Sequence, residues 1–292
     1  EHTFTPEVKA VGEMNGLTYE QTMEELTRRY DGYRFTQIKT EGLYNPFSIL
    51  NVFSSCIFQS YWFSTGTPTM LVDMLKKTDY DLRQLDGIEV PAAALTDYRM
   101  DFHNPVPIIY QSGYLTVKEY DPIKNFYVLG YPNAEVEYGW LNFITPYYTP
   151  MSEANAPFYI GKFWDELREG DVDSFMERLR AFFADMPYEL NDKTERHYQV
   201  IFYIVFKLLG QYVDAEVRSA RGRADAVVKT TDYIYVFEFK LNGSVDEALQ
   251  QIDDKGYLIP YSVDDRQLVK VGASFDKEKR NIGEWKTIFV ER

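Results

Sequence analysis

The chain has 292 residues, of which 45% are hydrophobic and 26% charged, with 17 Gly and 13 Pro. That balance excludes collagen-like, low-complexity and largely disordered chains, and the length suits one large domain or two ordinary ones. The formal net charge of −14 argues against a general nucleic-acid coat protein. The charge is uneven, however: the first 185 residues carry −12 and residues 186–292 only −2, so a local basic groove in the last part stays open.

Cys56 is the one cysteine, which rules out an intrachain disulfide framework and any Cys-rich zinc site. His2, His103 and His197 are scattered, so a His-based metal site is not expected. The longest apolar run, Val200 to Leu209, contains Lys207 and is too short to span a bilayer. No signal peptide is visible and the chain starts at Glu1 rather than Met, so upstream segments are expected to lie outside this sequence. A reduced, cytoplasmic setting is the default expectation.

Residues 1 to about 100 read as mainly helical. Tyr19 to Tyr30 has helix-like spacing and stops before Asp31-Gly32. Asn45-Pro46 opens another helix, with Pro46 at a favourable first position, and Thr67-Pro68 opens a third. Ile108 to Ser112 is an apolar segment ending at Gly113. Leu115 to Tyr120 and Asn125 to Tyr131 then read as strands around the turn Asp121-Pro122-Ile123-Lys124. With a new helix from about Glu135, this order resembles a winged-helix module, whose wing can read DNA or serve as packing. Pro146 to Pro157 reads as a linker, and Tyr159 to Asp185 as amphipathic helix.

The last part is the most explicit. Asp192 and Glu195 have capping-box spacing before a helix that is apolar nearly all round and stops at Gly210. Three strand-like segments follow, at 212–218, 224–228 and 233–240. Ser244 and Glu247 form a second capping box before a helix that buries Val245, Ala248, Leu249 and Ile252. Strands at 268–273 and 287–290 close the chain. The expected organisation is a mainly helical part over 1–150, a helical linker region over 151–185, and an αβββαβ domain over 186–292. The fold class is mixed α and β.

Ile234 to Lys240 alternates with period two, placing Tyr235, Phe237 and Phe239 on one face and Ile234, Val236, Glu238 and Lys240 on the other. Both faces are mostly apolar, so this should be a central strand, and two charges at its end are unusual there. If Thr231-Asp232 is a two-residue hairpin loop, Asp225 falls opposite Glu238, with Cβ atoms about 5 Å apart. Two carboxylates at that spacing repel by roughly 3 kcal/mol at an effective dielectric near 20. Lys240 could offset part of this, and a divalent cation much more; oxygen ligands favour Mg²⁺ or Mn²⁺. Two carboxylates on a metal beside an ammonium form equipment for phosphodiester hydrolysis. Glu-x-Lys alone usually means a solvated face with a cross-strand ion pair; the upstream Asp on a matching face, the apolar strand and the helix order turn the reading toward a nuclease-type site.

Gly222-Arg223-Ala224-Asp225, twelve further residues and Glu238-Phe239-Lys240 resemble the PD-(D/E)xK nuclease superfamily. Within it, the segments around Asp225, Glu238 and Ala248-Leu249-Gln250-Gln251-Ile252 are similar to nuclease-like domains found behind AAA-ATPase-like domains in bacterial proteins. Tyr30 to Phe35, Tyr44 to Ser48 and Tyr61 to Pro68 resemble the lid-type C-terminal portion of that ATPase-like region. The resemblance implies a restriction-endonuclease-like core, DNA as partner, Asp225 and Glu238 as metal ligands, Lys240 as catalytic lysine and Gln251 (or its neighbour Gln250) as an auxiliary site residue. Glu195 and Glu216 occupy regions where an extra acid is found, and Arg223 could hold a phosphate. Two departures stand out: Ala224 replaces the proline of the motif, and no GxxxxGK[ST] run exists, so this chain has no P-loop ATP site. The expected function is a metal-dependent DNA nuclease. The rival is an inactive nuclease-like module that binds DNA or protein, governed by an ATPase domain upstream.

Overall fold

The computed structural model describes residues 3–38, 41–65, 69–77, 80–96, 104–152, 154–185, 195–210, 214–217, 224–241, 243–276, 278–279 and 281–291, and for residues 64, 65, 76, 96, 195–197 and 214–217 it describes the backbone alone. Two compact units divide the chain at Trp140/Leu141.

The first unit begins with α1 (Thr5–Asn15), α2 (Tyr19–Tyr30) and α3 (Pro46–Ser55). Thr18 and Gln21 form a capping box that starts α2, and Asn45 accepts from Phe47 and Ser48 to start α3 behind Pro46. Val8, Val11, Leu26, Tyr30, Val52 and Tyr61 close the core among them. Then come α4 (Thr69–Lys77), β1 (Ile88–Pro91), α5 (Ala92–Thr96) and α6 (Val106–Gln111). The 108–112 segment is thus helical, and the bounds of α4 begin just after the predicted Thr67-Pro68 start, which lies outside the described residues. The hairpin is as the sequence suggests: β2 (Thr116–Asp121) and β3 (Phe126–Gly130) pair antiparallel. Asp121 Oδ1 accepts from the backbone of Ile123 and Lys124 in its turn. Strand β1, which the sequence reading did not anticipate, pairs with β3 and makes a three-stranded sheet of order β1-β3-β2. Helix α7 (Ala134–Tyr148) follows and runs through Pro146.

The second unit holds α8 (Ala156–Arg168), α9 (Val172–Ala184), α10 (Glu195–Leu209), β4 (Asp214–Val217), β5 (Ala226–Lys229), β6 (Tyr233–Lys240), α11 (Val245–Asp254), β7 (Gln267–Asp276) and β8 (Asn281–Phe289). The five strands lie in chain order, and only β6 and β7 run parallel, joined by α11. Strand β6 is central and buried from Ile234 to Glu238. Its two faces have separate partners, as the alternation predicts. Phe237 packs on Phe175 of α9 and Phe206 of α10, Phe239 stacks on Phe202, and the Tyr235 hydroxyl donates to Leu167 O of α8 at 2.7 Å. Ile234 and Val236 share the opposite cluster with Leu249 and Ile252 of α11. Helix α10 is buried over Val200–Phe206, Leu208 and Leu209, as its all-round apolar pattern predicts. The acid at 192 lies outside the described residues. No helix among the described residues is long and apolar enough to cross a membrane.

Candidate active site

The β5–β6 register places the charged residues. Ala226 pairs with Phe237, Val227 with Val236, Val228 with Tyr235 and Lys229 with Ile234, while Thr230 N donates to Tyr233 O at 2.8 Å. Thr231-Asp232 is therefore the two-residue loop, and the next pair beyond the ladder is Asp225 with Glu238. Asp225 itself lies one residue before β5 and is exposed. Its Oδ2 takes the place of a ladder acceptor, receiving the Phe239 N–H at 2.8 Å. That bond fixes the carboxylate beside the end of β6.

Glu238 is 3% exposed. Its Oε1 accepts from Lys240 Nζ at 3.2 Å and from Gln251 Nε2. Its Oε2 is buried and has no hydrogen-bond partner among the described residues. Burial raises the carboxyl, the Asp225 charge raises it further, and the bond from Lys240 opposes both; the result is about 7, against an ordinary 4.5. Lys240 Nζ also donates to Gln251 Oε1, so Glu238, Lys240 and Gln251 form a closed triangle. Gln250 faces elsewhere, donating to Asp254 at 2.7 Å, so of the two neighbouring glutamines it is Gln251 that reaches this group.

Helix α11 delivers Gln251 because its start and depth are fixed. Ser244 and Glu247 form the predicted capping box. Opposite Glu238 in the parallel pair, Gly272 lets the helix approach the sheet: a Cβ there would lie 2.8 Å from Leu249 Cγ and 2.9 Å from Val245 O. Tyr257, past the end of α11, adds a group the sequence did not single out. Its hydroxyl accepts from Gln251 Nε2 at 3.4 Å; burial holds the phenol above its ordinary range, the bond from Gln251 opposes this, and the charges of Glu238 and Asp225 add to the rise. Helix α11 ends at Asp254 and a turn at 255–256 intervenes before Tyr257, so helical spacing from Gln251 does not point to it.

Glu195 opens α10, and Glu216 lies on β4 opposite Val227, but their side chains are outside the described set, as is Arg223 altogether. Among the described residues no group of three or more His, Cys, Asp or Glu is placed to hold a metal. The two carboxylates nevertheless suit a hard divalent cation: they repel one another, one has an unpartnered buried oxygen, and every donor is oxygen.

A protein of Azotobacter chroococcum mcd 1 described as "Uncharacterized protein in vnfD 5'region" is 31% identical over 268 residues, covering 89% of this chain and 51% of that protein. The chain therefore spans about half the length of this curated relative. No solved structure matches it. The family model described as PD-(D/E)XK nuclease superfamily matches residues 193–285, the stretch that contains Asp225, Glu238, Lys240, Gln251 and Tyr257.

Proposed function

We infer that the second unit is a metal-dependent phosphodiesterase acting on DNA. The observation that carries this reading is the buried Glu238 carboxylate, its Oε2 unpartnered, with Asp225 beside it and Lys240 bonded to its other oxygen. The superfamily match over 193–285 supports it.

Asp225 and Glu238 would hold Mg²⁺ or Mn²⁺. When bound, such an ion supplies Lewis acidity toward a phosphoryl oxygen and acidifies the attacking water. Asp225 would contribute its carboxylate, which Phe239 N–H holds beside the end of β6. Glu238 offers Oε2 while Oε1 stays on Lys240 and Gln251. Lys240 places its ammonium at the open end of β6, where it can orient the attacking water and stabilise charge that develops on the phosphoryl oxygens. Gln251 holds the Lys240 ammonium in place. Arg223, Glu216 and Glu195 remain candidates for contacts to the phosphate or for completing the metal shell.

The domain assignment belongs to the same proposal: a helical, winged-helix-like part of an ATPase-like region over 1–150 that lacks a P-loop, a helical region over 151–185, and the nuclease-like domain over 186–292. The partner proposed beside DNA is an ATPase domain upstream, and the setting proposed is cytoplasmic. The test is a cleavage assay with Mg²⁺ or Mn²⁺ on single-stranded, duplex and branched DNA. Wild-type protein should cut at least one of these, and Asp225→Ala should not. Equal cutting by both removes the assignment. DNA binding without Mn²⁺ binding in calorimetry would favour a non-catalytic binding module.

A further inference from the structure

The triangle of Glu238, Lys240 and Gln251 has one further polar neighbour. Gln251 Nε2 serves two acceptors, Glu238 Oε1 and the Tyr257 hydroxyl, the latter at 3.4 Å. Its Oε1 is taken by Lys240 Nζ. Both N–H directions of this amide are thus committed and its oxygen holds the ammonium, and among the described residues Tyr257 is its partner outside β6. The Tyr257 ring is 9% exposed and belongs to the apolar cluster that includes Ala224, Val227, Leu249 and Ile252. It is therefore a rigid post: packing fixes the ring, and the ring fixes the hydroxyl. Gly256, at φ +63, turns the chain just before it and brings the ring back beneath α11.

We propose that Tyr257 is a positioning residue that holds the Gln251 amide, and through it the Lys240 ammonium, in register with Glu238. This rests on the phosphodiesterase reading for its kinetic consequence, though not for the geometry itself. A long side-chain amide on a helix surface has three rotatable bonds. With an acceptor on each side of its nitrogen, rotation of the plane breaks a bond whichever way it turns. Removing the hydroxyl leaves the nitrogen with Glu238 alone and frees the amide to follow the Lys240 chain. Tyr257 touches neither of the proposed metal ligands through a hydrogen bond, so its effect should pass through Gln251.

The experiment is a double-mutant cycle on the full chain, using Tyr257→Phe, Gln251→Ala and the pair. The phenylalanine keeps the ring and its packing. Cleavage of the preferred DNA with Mn²⁺ should fall about fivefold to tenfold in kcat for Tyr257→Phe, with KM unchanged. In the Gln251→Ala background the same substitution should change kcat less than twofold. Multiplicative losses in the pair, or wild-type kcat in Tyr257→Phe, would overturn the proposal. A second readout does not need activity: the side-chain ¹⁵NH₂ resonance of Gln251 should shift and sharpen in Tyr257→Phe as the amide gains motion. If wild type cuts no DNA, the phosphodiesterase reading fails, and an unchanged Gln251 amide in Tyr257→Phe would then sink the positioning role on its own evidence.

Discussion

Asp225 sits opposite Glu238 one step beyond the β5–β6 ladder, and the two are inequivalent: Asp225 is exposed and bonded to Phe239 N–H, whereas Glu238 is buried with one oxygen unpartnered. Burial, followed by the Asp225 charge, raises the Glu238 carboxyl to about 7. The folded state therefore holds a proton that the unfolded chain releases near 4.5. Stabilisation from this group is complete below about pH 4.5 and is lost as pH rises through 7, by about 3 kcal/mol at most. Denaturant melts in EDTA should show wild type weakening relative to Glu238→Gln over that window. Adding Mn²⁺ at pH 8 should restore wild type and leave Glu238→Gln unmoved. A flat wild-type-minus-variant difference between pH 4.5 and 8 would remove the buried, charge-coupled Glu238 from the account.

Lys240 carries a different load. Its ammonium contacts Glu238 and Gln251 and makes no backbone bond that the strand needs. Lys240→Met should therefore leave the melting temperature within a few degrees of wild type and keep Mn²⁺ binding, because neither carboxylate is lost. On the phosphodiesterase reading, removing a charge that would face the reacting phosphoryl group should lower kcat about 10²- to 10³-fold. Calorimetry and single-turnover cleavage on the same preparation separate the two effects. Loss of metal binding together with cleavage would assign Lys240 to the ion's site.

In the first unit, Glu135 is the buried carboxylate with every visible need met. It accepts from Ser48 Oγ at 2.7 Å, Tyr61 N at 2.6 Å and Trp62 N at 3.0 Å, tying the start of α7 to α3 and to the turn at 61–62. Glu135→Ala removes the acceptor of two backbone N–H groups and one hydroxyl in a buried to half-buried place, at a cost of about 2–4 kcal/mol. Urea unfolding should show a lower midpoint with little change in slope. Glu135→Gln should fall between wild type and Ala, since one amide oxygen still accepts but the NH₂ meets a donor.

Much of the second unit was legible because its signals are local. Period two in 234–240, a tight Thr231-Asp232 loop and the Ser244/Glu247 capping box each depend on neighbours in sequence; the first two set the Asp225–Glu238 register, and the third starts α11. The choice of Gln251 over Gln250 was not legible, because it depends on how α11 is rotated over the sheet. Tyr257 and the β1 strand escaped for a related reason. Each takes its place from a distant partner, the Gln251 amide for one and the β3 edge for the other, and a four-residue strand such as Ile88–Pro91 has too little alternation to announce itself.

The approach of α11 to the sheet gives the last prediction. Gly272 stands opposite Glu238, and a methyl at that position would meet Leu249 Cγ at 2.8 Å, Val245 O at 2.9 Å and Ala248 Cβ at 3.2 Å. The Leu249 side chain can swing away, but the Val245 carbonyl belongs to the first turn of the helix and moves only if the helix does. Gly272→Ala should therefore lift α11 off β7, cost about 1–3 kcal/mol of stability and draw Gln251 away from Glu238 and Lys240. Cleavage should fall about as far as in Gln251→Ala. Trimming the flexible neighbour in Gly272→Ala/Leu249→Ala should not rescue it, because the backbone oxygen still blocks the methyl. Full recovery in that double variant would show that the side chain alone sets the spacing and that the depth of the helix is not what aligns the amide.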